Sequence, residues 1–169
     1  MRLAEYTDYT LRVLMYCASN PDRLITISEM AQAYELSKNH LMKIVSDLAR
    51  QGLIETTRGR GGGVRLVKAP SEIRIGDVVR ASETDFRLVE CFDESTNTCM
   101  IANSCRMKRL FGKALMAYFQ ELDGATLADI VAPAPRRAGA PAGRGGAVIP
   151  IRAAARAPAT RRRGSRVGS

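Results

Sequence analysis

Cys91, Cys99 and Cys105 fall within 15 residues, with seven and then five residues between them. Cysteine usually behaves as a small buried apolar residue. Here, however, the stretch from Phe92 to Ser104 is mostly polar and has no helical or strand period. Three cysteines on one polar loop therefore point to sulfur chemistry. A disulfide would leave one thiol over and is disfavoured in a reducing compartment. Structural zinc sites space paired ligands by about two to four residues, and these cysteines contain no such pair. Wider spacing lets three thiolates reach separate irons of one iron–sulfur cluster. Cys105 is expected to open a helix, followed by Arg106, Lys108 and Arg109, a setting that suits a negatively charged sulfur. A fourth ligand is open between Asp93, Glu94, solvent and a carboxylate from elsewhere. Cys17 lies beside the apolar stripe of the first helix and is expected to be packing.

A second set of residues suits contact with DNA. Over 38–50, Leu41, Ile44, Val45 and Leu48 mark a buried stripe, and the opposite face carries Asn39, Lys43, Ser46 and Arg50. Asn can read adenine, Lys can reach guanine, and Arg50 is placed for a phosphate. Recognition helices present their N-terminal residues to the groove, which favours Lys38, Asn39 and Lys43. His40, the sole histidine, flanks that contact, and its solitude argues against catalytic triads and histidine metal sites. The glycines of Arg58-Gly59-Arg60-Gly61-Gly62-Gly63 let backbone N–H groups approach phosphates, and Arg58, Arg60 and Arg65 add charge. A strand rather than a helix is expected after this run, so it is not a nucleotide-binding loop.

Elements to hold these residues are legible around them. A first helix is predicted over Asp8–Ser19. Thr26 and Glu29 form a capping box for a second helix, with Ile25 and Met30 as its staple. Glu35-Leu36-Ser37 makes a turn, and Ser37 caps a third helix that stops at Gly52. Helix, short turn and helix make a helix-turn-helix. Strands at Leu53–Thr57 and Val64–Val67 form a hairpin wing, and a short helix follows over Ile75–Ala81. From Met107, the positions Leu110, Phe111, Ala114, Leu115, Tyr118, Phe119 and Leu122 form a stripe wider than a coiled-coil seam. One edge is expected on its own domain and the other on a partner helix.

The expected fold class is thus mainly α with a small β-hairpin. A winged helix-turn-helix domain spans 1–82, a cysteine loop 83–104, a dimerisation helix with a C-terminal turn 105–131, and a tail 132–169. The tail holds nine Arg and no acid, which accounts for the whole net charge of +9 on the 169-residue chain. Ala, Arg, Gly and Pro make up 31 of its 38 residues, so disorder is expected. Residues 1–68 hold ten bases and seven acids, and residues 69–131 hold seven and ten, which suggests surfaces with different partners. No apolar run approaches the ~20 residues of a membrane span. Glu5, Asp8 and Arg12 interrupt what a signal peptide would need, so a cytoplasmic protein is expected. No acid–base pair or nucleophile arrangement supports an enzyme.

The sequence resembles the iron–sulfur winged-helix regulators, the family that includes the NsrR, IscR and RirA types. The resemblance covers residues 1–131. Tyr6-Thr7-Asp8-Tyr9, Leu11-Arg12-Val13-Leu14, Ser37-Lys38-Asn39-His40-Leu41 and Arg58-Gly59 through Gly63-Val64-Arg65-Leu66 carry it, with Ile75–Arg80, the three cysteines and Thr126–Val131. Asn39-His40, Ile75–Arg80 and the Thr126–Val131 ending point to the type that senses nitric oxide. IscR-type proteins carry a His three residues after the last cysteine, where this chain has Lys108. The resemblance implies a homodimeric repressor on double-stranded operator DNA. It also implies that Cys91, Cys99, Cys105 and the partner's Asp8 hold a cluster, [4Fe–4S] being favoured and [2Fe–2S] the alternative. The seven-residue gap after Cys91 also resembles the iron-responsive RirA type. A cluster-carrying protein whose helix-turn-helix binds another protein is the remaining alternative.

Overall fold

The computed structural model describes residues 2–132 of the chain, which runs as α1 (Glu5–Ala18), α2 (Ile27–Tyr34), α3 (Lys38–Arg50), β1 (Ile54–Thr57), β2 (Gly63–Leu66), α4 (Ile75–Ser82), α5 (Arg106–Gly124) and α6 (Leu127–Val131). Single 3-10 turns interrupt the connections at Pro70–Glu72 and Glu90–Phe92. The tail expected to be disordered lies, from residue 133 onward, outside the described residues.

The helix-turn-helix forms where the local signals put it. Thr26 accepts the Glu29 N–H at 3.1 Å, a cap of the kind that stabilises a helix by ~1 kcal/mol. The Glu29 carboxylate is engaged by Arg23 and by the Tyr16 hydroxyl. Glu35 ends α2 in the left-handed region at φ 55°, a conformation that costs a non-glycine residue ~1 kcal/mol. Ser37 stands at the N-cap of α3, although its hydroxyl makes no cap hydrogen bond.

Two boundaries differ from the sequence expectation. α1 begins at Glu5 rather than Asp8, although Ala4 has no capping side chain. A tertiary contact supplies the cap instead: the Ala4 N–H donates to Glu83 Oε1 at 2.7 Å across 79 residues. The wing strands also sit one residue away from the expected starts, with Ile54 opposite Leu66 and Thr57 opposite Gly63. The expected ends remain bonded, the Val67 N–H donating to the Leu53 carbonyl at 3.0 Å, and Val64 anchors the hairpin. It exchanges backbone hydrogen bonds with Ile25 at 3.0 and 2.8 Å, so the hairpin is anchored as a third rung against the segment before α2. Gly63 is needed at this approach, since a Cβ there would lie 2.7 Å from the Ile25 carbonyl oxygen.

Leu14, Ile25, Met30, Leu41, Ile44, Leu48, Ile54 and Leu127 are the largest fully buried apolar side chains. Each contributes roughly 1.5–3 kcal/mol by burial. Leu127 brings α6 into the same core as the helix-turn-helix. Its N–H donates to the Ile73 carbonyl at 2.8 Å, and the Ile75 N–H donates to Ala125 at 3.0 Å. A capping box between Thr126 and Asp129 starts α6. Among the described residues, no helix is long and apolar enough to cross a membrane.

Candidate DNA-reading face and cysteine segment

α3 buries Leu41, Ile44, Val45 and Leu48 and leaves Lys38, Asn39, His40, Lys43, Ser46 and Arg50 exposed. Arg58 and Arg60 are exposed at the tip of the wing. Arg65 differs from them, because it is ion-paired across the hairpin with Glu55, directly opposite in the register. Lys38, Lys43, Arg58 and Arg60 form no salt bridge among the described residues. Their charge is available to an anion.

Two residues at this face were not singled out from the sequence. Tyr6, on the first turn of α1, donates its hydroxyl to Asp47 on α3. Asp47 also accepts from Arg50, and the Lys43 ammonium lies 5.9 Å from the centroid of the Tyr6 ring. Burial, then the hydrogen bond to Asp47, pushes the Tyr6 hydroxyl up to about 12. It therefore remains a proton donor at neutral pH. The available sequence signal was Asp47 itself, an acid on an otherwise basic strip.

The cysteine segment is built from local hydrogen bonds. Glu90 accepts from the N–H and hydroxyl of Thr98 at 2.9 and 2.7 Å. These two residues immediately precede Cys91 and Cys99, so the clasp closes the seven-residue gap at its two ends. Asp93 is engaged by both oxygens, one with Ser95 and the other with Arg87 at 2.5 Å. Hydrogen bonds from Ser95 hold its carboxyl down to about 2. Of the two local acids weighed as a fourth ligand, Asp93 is therefore occupied, and Glu94 is exposed.

Cys105 stands at the N-cap of α5, where its sulfur accepts the Lys108 N–H at 3.4 Å. The four cysteines are all free thiols, Cys91 and Cys17 buried and Cys99 and Cys105 half-buried. Desolvation in the core pushes the Cys17 thiol up to about 11. That thiol stays protonated, as a packing residue should. Among the described residues, no three His, Cys, Asp or Glu side chains converge on a metal-sized site. Yet the donor set suits iron–sulfur chemistry. Three unpaired thiols share one segment, one sits at a helix N-terminus, and no imidazole competes. Asp8 lies elsewhere, on α1, paired with Arg12 at 2.8 Å and half exposed.

No residue of α5 is buried. One edge rests on its own domain through Phe119, whose ring meets Phe86 at 4.7 Å and lies under the Arg80 guanidinium at 4.5 Å. Another edge shows Met107 and Leu110, one turn apart, at 61 and 64% exposure.

An exposed helix bearing free cations, seated on a helix-turn-helix and flanked by an arginine-tipped wing, defines a winged-helix transcriptional regulator. Comparison with known proteins sharpens that class. The chain belongs to the Rrf2 family, described as iron-dependent transcriptional regulators, which matches residues 3–133. It is 49% identical over 132 residues to the HTH-type transcriptional regulator NsrR of Bacillus licheniformis, covering 78% of this chain and 92% of that one. Identity to NsrR of Bacillus subtilis is also 49%, covering 78% and 90%. Among solved structures, T. potens IscR matches with a TM-score of 0.62 at 21% identity, covering 78% and 86%. Bacillus subtilis CymR, the global cysteine regulator, matches at 0.63 and 24%, covering 78% and 96%. These structural likenesses carry the winged-helix fold. The relatives are regulators, and the chain is not an enzyme.

Proposed function

We propose that this protein is an iron–sulfur-dependent repressor that binds operator DNA as a homodimer and releases it in response to nitric oxide. One observation carries the reading. Three free thiols lie on the segment that joins the winged-helix domain to the exposed face of α5. In a homodimer that face is covered by its own copy, and two recognition helices meet half-sites about one DNA turn apart. Similarity to regulators named NsrR supports nitric oxide as the signal.

Cys91, Cys99 and Cys105 would hold the cluster, with Asp8 of the partner subunit as fourth ligand and [4Fe–4S] favoured over [2Fe–2S]. When bound, the cluster supplies iron that reacts with nitric oxide. The protein's own part is mechanical. The cysteine segment is tied to the partner's first helix, which fixes the angle between the two winged-helix heads. Asp8 would be the weakest of the four ligands, because a hard carboxylate oxygen suits an iron–sulfur cluster less well than a thiolate. Lys38, Asn39, His40, Lys43 and Ser46 face the bases, while Arg50, Arg58 and Arg60 face phosphates. Work on an operator places the protein in the cytoplasm.

Anaerobic visible absorption and circular dichroism, recorded before and after stoichiometric nitric oxide with DNA binding followed alongside, test this. A broad iron–sulfur band that changes as DNA is released is the expected result. A second reading, an iron-responsive regulator of the RirA type, is favoured by the seven-residue gap after Cys91. It predicts a cluster indifferent to nitric oxide and lost on iron chelation. Absence of a cluster after anaerobic purification would overturn both.

A further inference from the structure

We infer that Tyr6 is a positioning residue for DNA recognition, turning Asp47 of α3 away from Lys43. The inference rests on α3 being the recognition helix. Lys43, Asp47 and Arg50 are spaced by four and three residues and so form one strip along α3. An acid in the middle of a strip that meets phosphates weakens the attraction to DNA. Left alone, Asp47 is within reach of both cations, at i+4 from Lys43 and i−3 from Arg50.

The Tyr6 hydroxyl turns Asp47 away from Lys43 and leaves it paired with Arg50 alone. It donates to one carboxylate oxygen of Asp47, while the other oxygen accepts from Arg50. The Asp47 side chain is thereby drawn inward, at 20% exposure, and Arg50 extends outward at 77%. Lys43 is not paired with Asp47; its ammonium sits over the Tyr6 ring at 5.9 Å. A ring face attracts a cation without neutralising it, so Lys43 keeps its full charge for the groove. One phenol from α1 thus acts on Lys43 twice, by its hydroxyl through Asp47 and by its ring face. Ordinary helix packing between α1 and α3 is supplied separately by the buried apolar residues and does not need the hydroxyl.

The test uses full-length protein purified anaerobically, a duplex selected by that protein from a random library, and a scrambled duplex of equal composition. Tyr6→Phe keeps the ring and removes only the donor. Its affinity for the selected duplex should fall roughly 3- to 10-fold, and for the scrambled duplex less, because Asp47 released from the phenol can turn onto Lys43, the cation that faces the groove. Asp47→Asn keeps an acceptor for Tyr6 and removes the negative charge. It should bind the scrambled duplex more tightly than wild type, which narrows discrimination. Opposite signs from two neighbouring substitutions are not what a purely structural contact would produce.

Tyr6→Phe with wild-type affinity for the selected duplex would overturn the role of the hydroxyl. Equal weakening in both variants, accompanied by loss of thermal stability, would reduce the contact to packing. A wild-type protein that selects no duplex, while keeping its cluster, overturns the reading of α3 itself and this inference with it.

Discussion

Gly76 on α4 lies directly against Asp123 at the end of α5: a Cβ on Gly76 would stand 1.9 Å from Asp123 Oδ1. That carboxylate is held there by Arg80, one turn along α4, whose two Nη groups donate to its two oxygens at 2.7 and 2.6 Å. The same hydrogen bonds hold the Asp123 carboxyl below its ordinary value. A side chain at this position would have to turn the flexible end of Asp123 aside. Gly76→Ala must displace Asp123 and disrupt the fork. The lost pair, two-fifths exposed at both partners, should cost about 0.2–1 kcal/mol. Urea unfolding checks this, and an unchanged midpoint would show that α4 and α5 adjust freely.

Leu127 is fully buried although it follows a long helix with no buried residue of its own. Leu127→Ala should destabilise the protein by about 2–5 kcal/mol, as for other core truncations. Thermal unfolding of the full chain is the measurement. A cost well under that range would mean that α6 docks weakly, leaving α5 free to move against the winged domain.

Contacts to bases and to phosphates separate by their signatures. Lys43→Ala should lose about 1–3 kcal/mol of discrimination between the selected and a mismatched duplex. Arg58→Ala and Arg60→Ala should each weaken binding to any duplex and lower the salt slope by about 0.9. Anisotropy titrations at several salt concentrations distinguish the two patterns. Identical behaviour of all three variants would contradict the assignment of Lys43 to the groove.

Asp8 is half exposed and paired within its own helix to Arg12, an interaction worth only about 0.3–0.5 kcal/mol. Asp8→Ala should therefore fold normally and dimerise. Its effect is expected in the cluster's visible and circular dichroism spectra and in a weakened nitric oxide response. Unchanged spectra together with an unchanged response would remove Asp8 from the ligand set.

Glu29 gives a pH prediction. Hydrogen bonds from Arg23, then from Tyr16, hold its carboxyl down to about 2 from an ordinary value of 4.5. A carboxylate with a depressed folded value stabilises the fold above its unfolded value, and that contribution is lost as pH falls through the folded one. The stability gap between wild type and Glu29→Gln should then be full above about pH 4.5 and close as pH falls toward 2. Unfolding midpoints measured across that range check it. A constant gap would mean that Glu29 acts through packing rather than charge.

Much of this protein is written locally. The Thr26 cap, the Glu35-Leu36-Ser37 turn, the apolar stripe of α3 and the opening of α5 at Cys105 each depend on residues within about one or two helical turns. They could be read from spacing alone, and so could the cysteine triplet with its polar setting. What spacing does not encode is which polar side chains meet once the elements pack. Tyr6 finds Asp47 across 41 residues, Arg80 finds Asp123 across 43, and Ala4 is capped by Glu83 across 79. Tertiary structure alone moved the start of α1 and brought Leu127 back into the core. The physical reason is range. Caps and periodicities act through the few residues of a turn, whereas a hydrogen bond between two helices is fixed only by how their buried faces settle against each other.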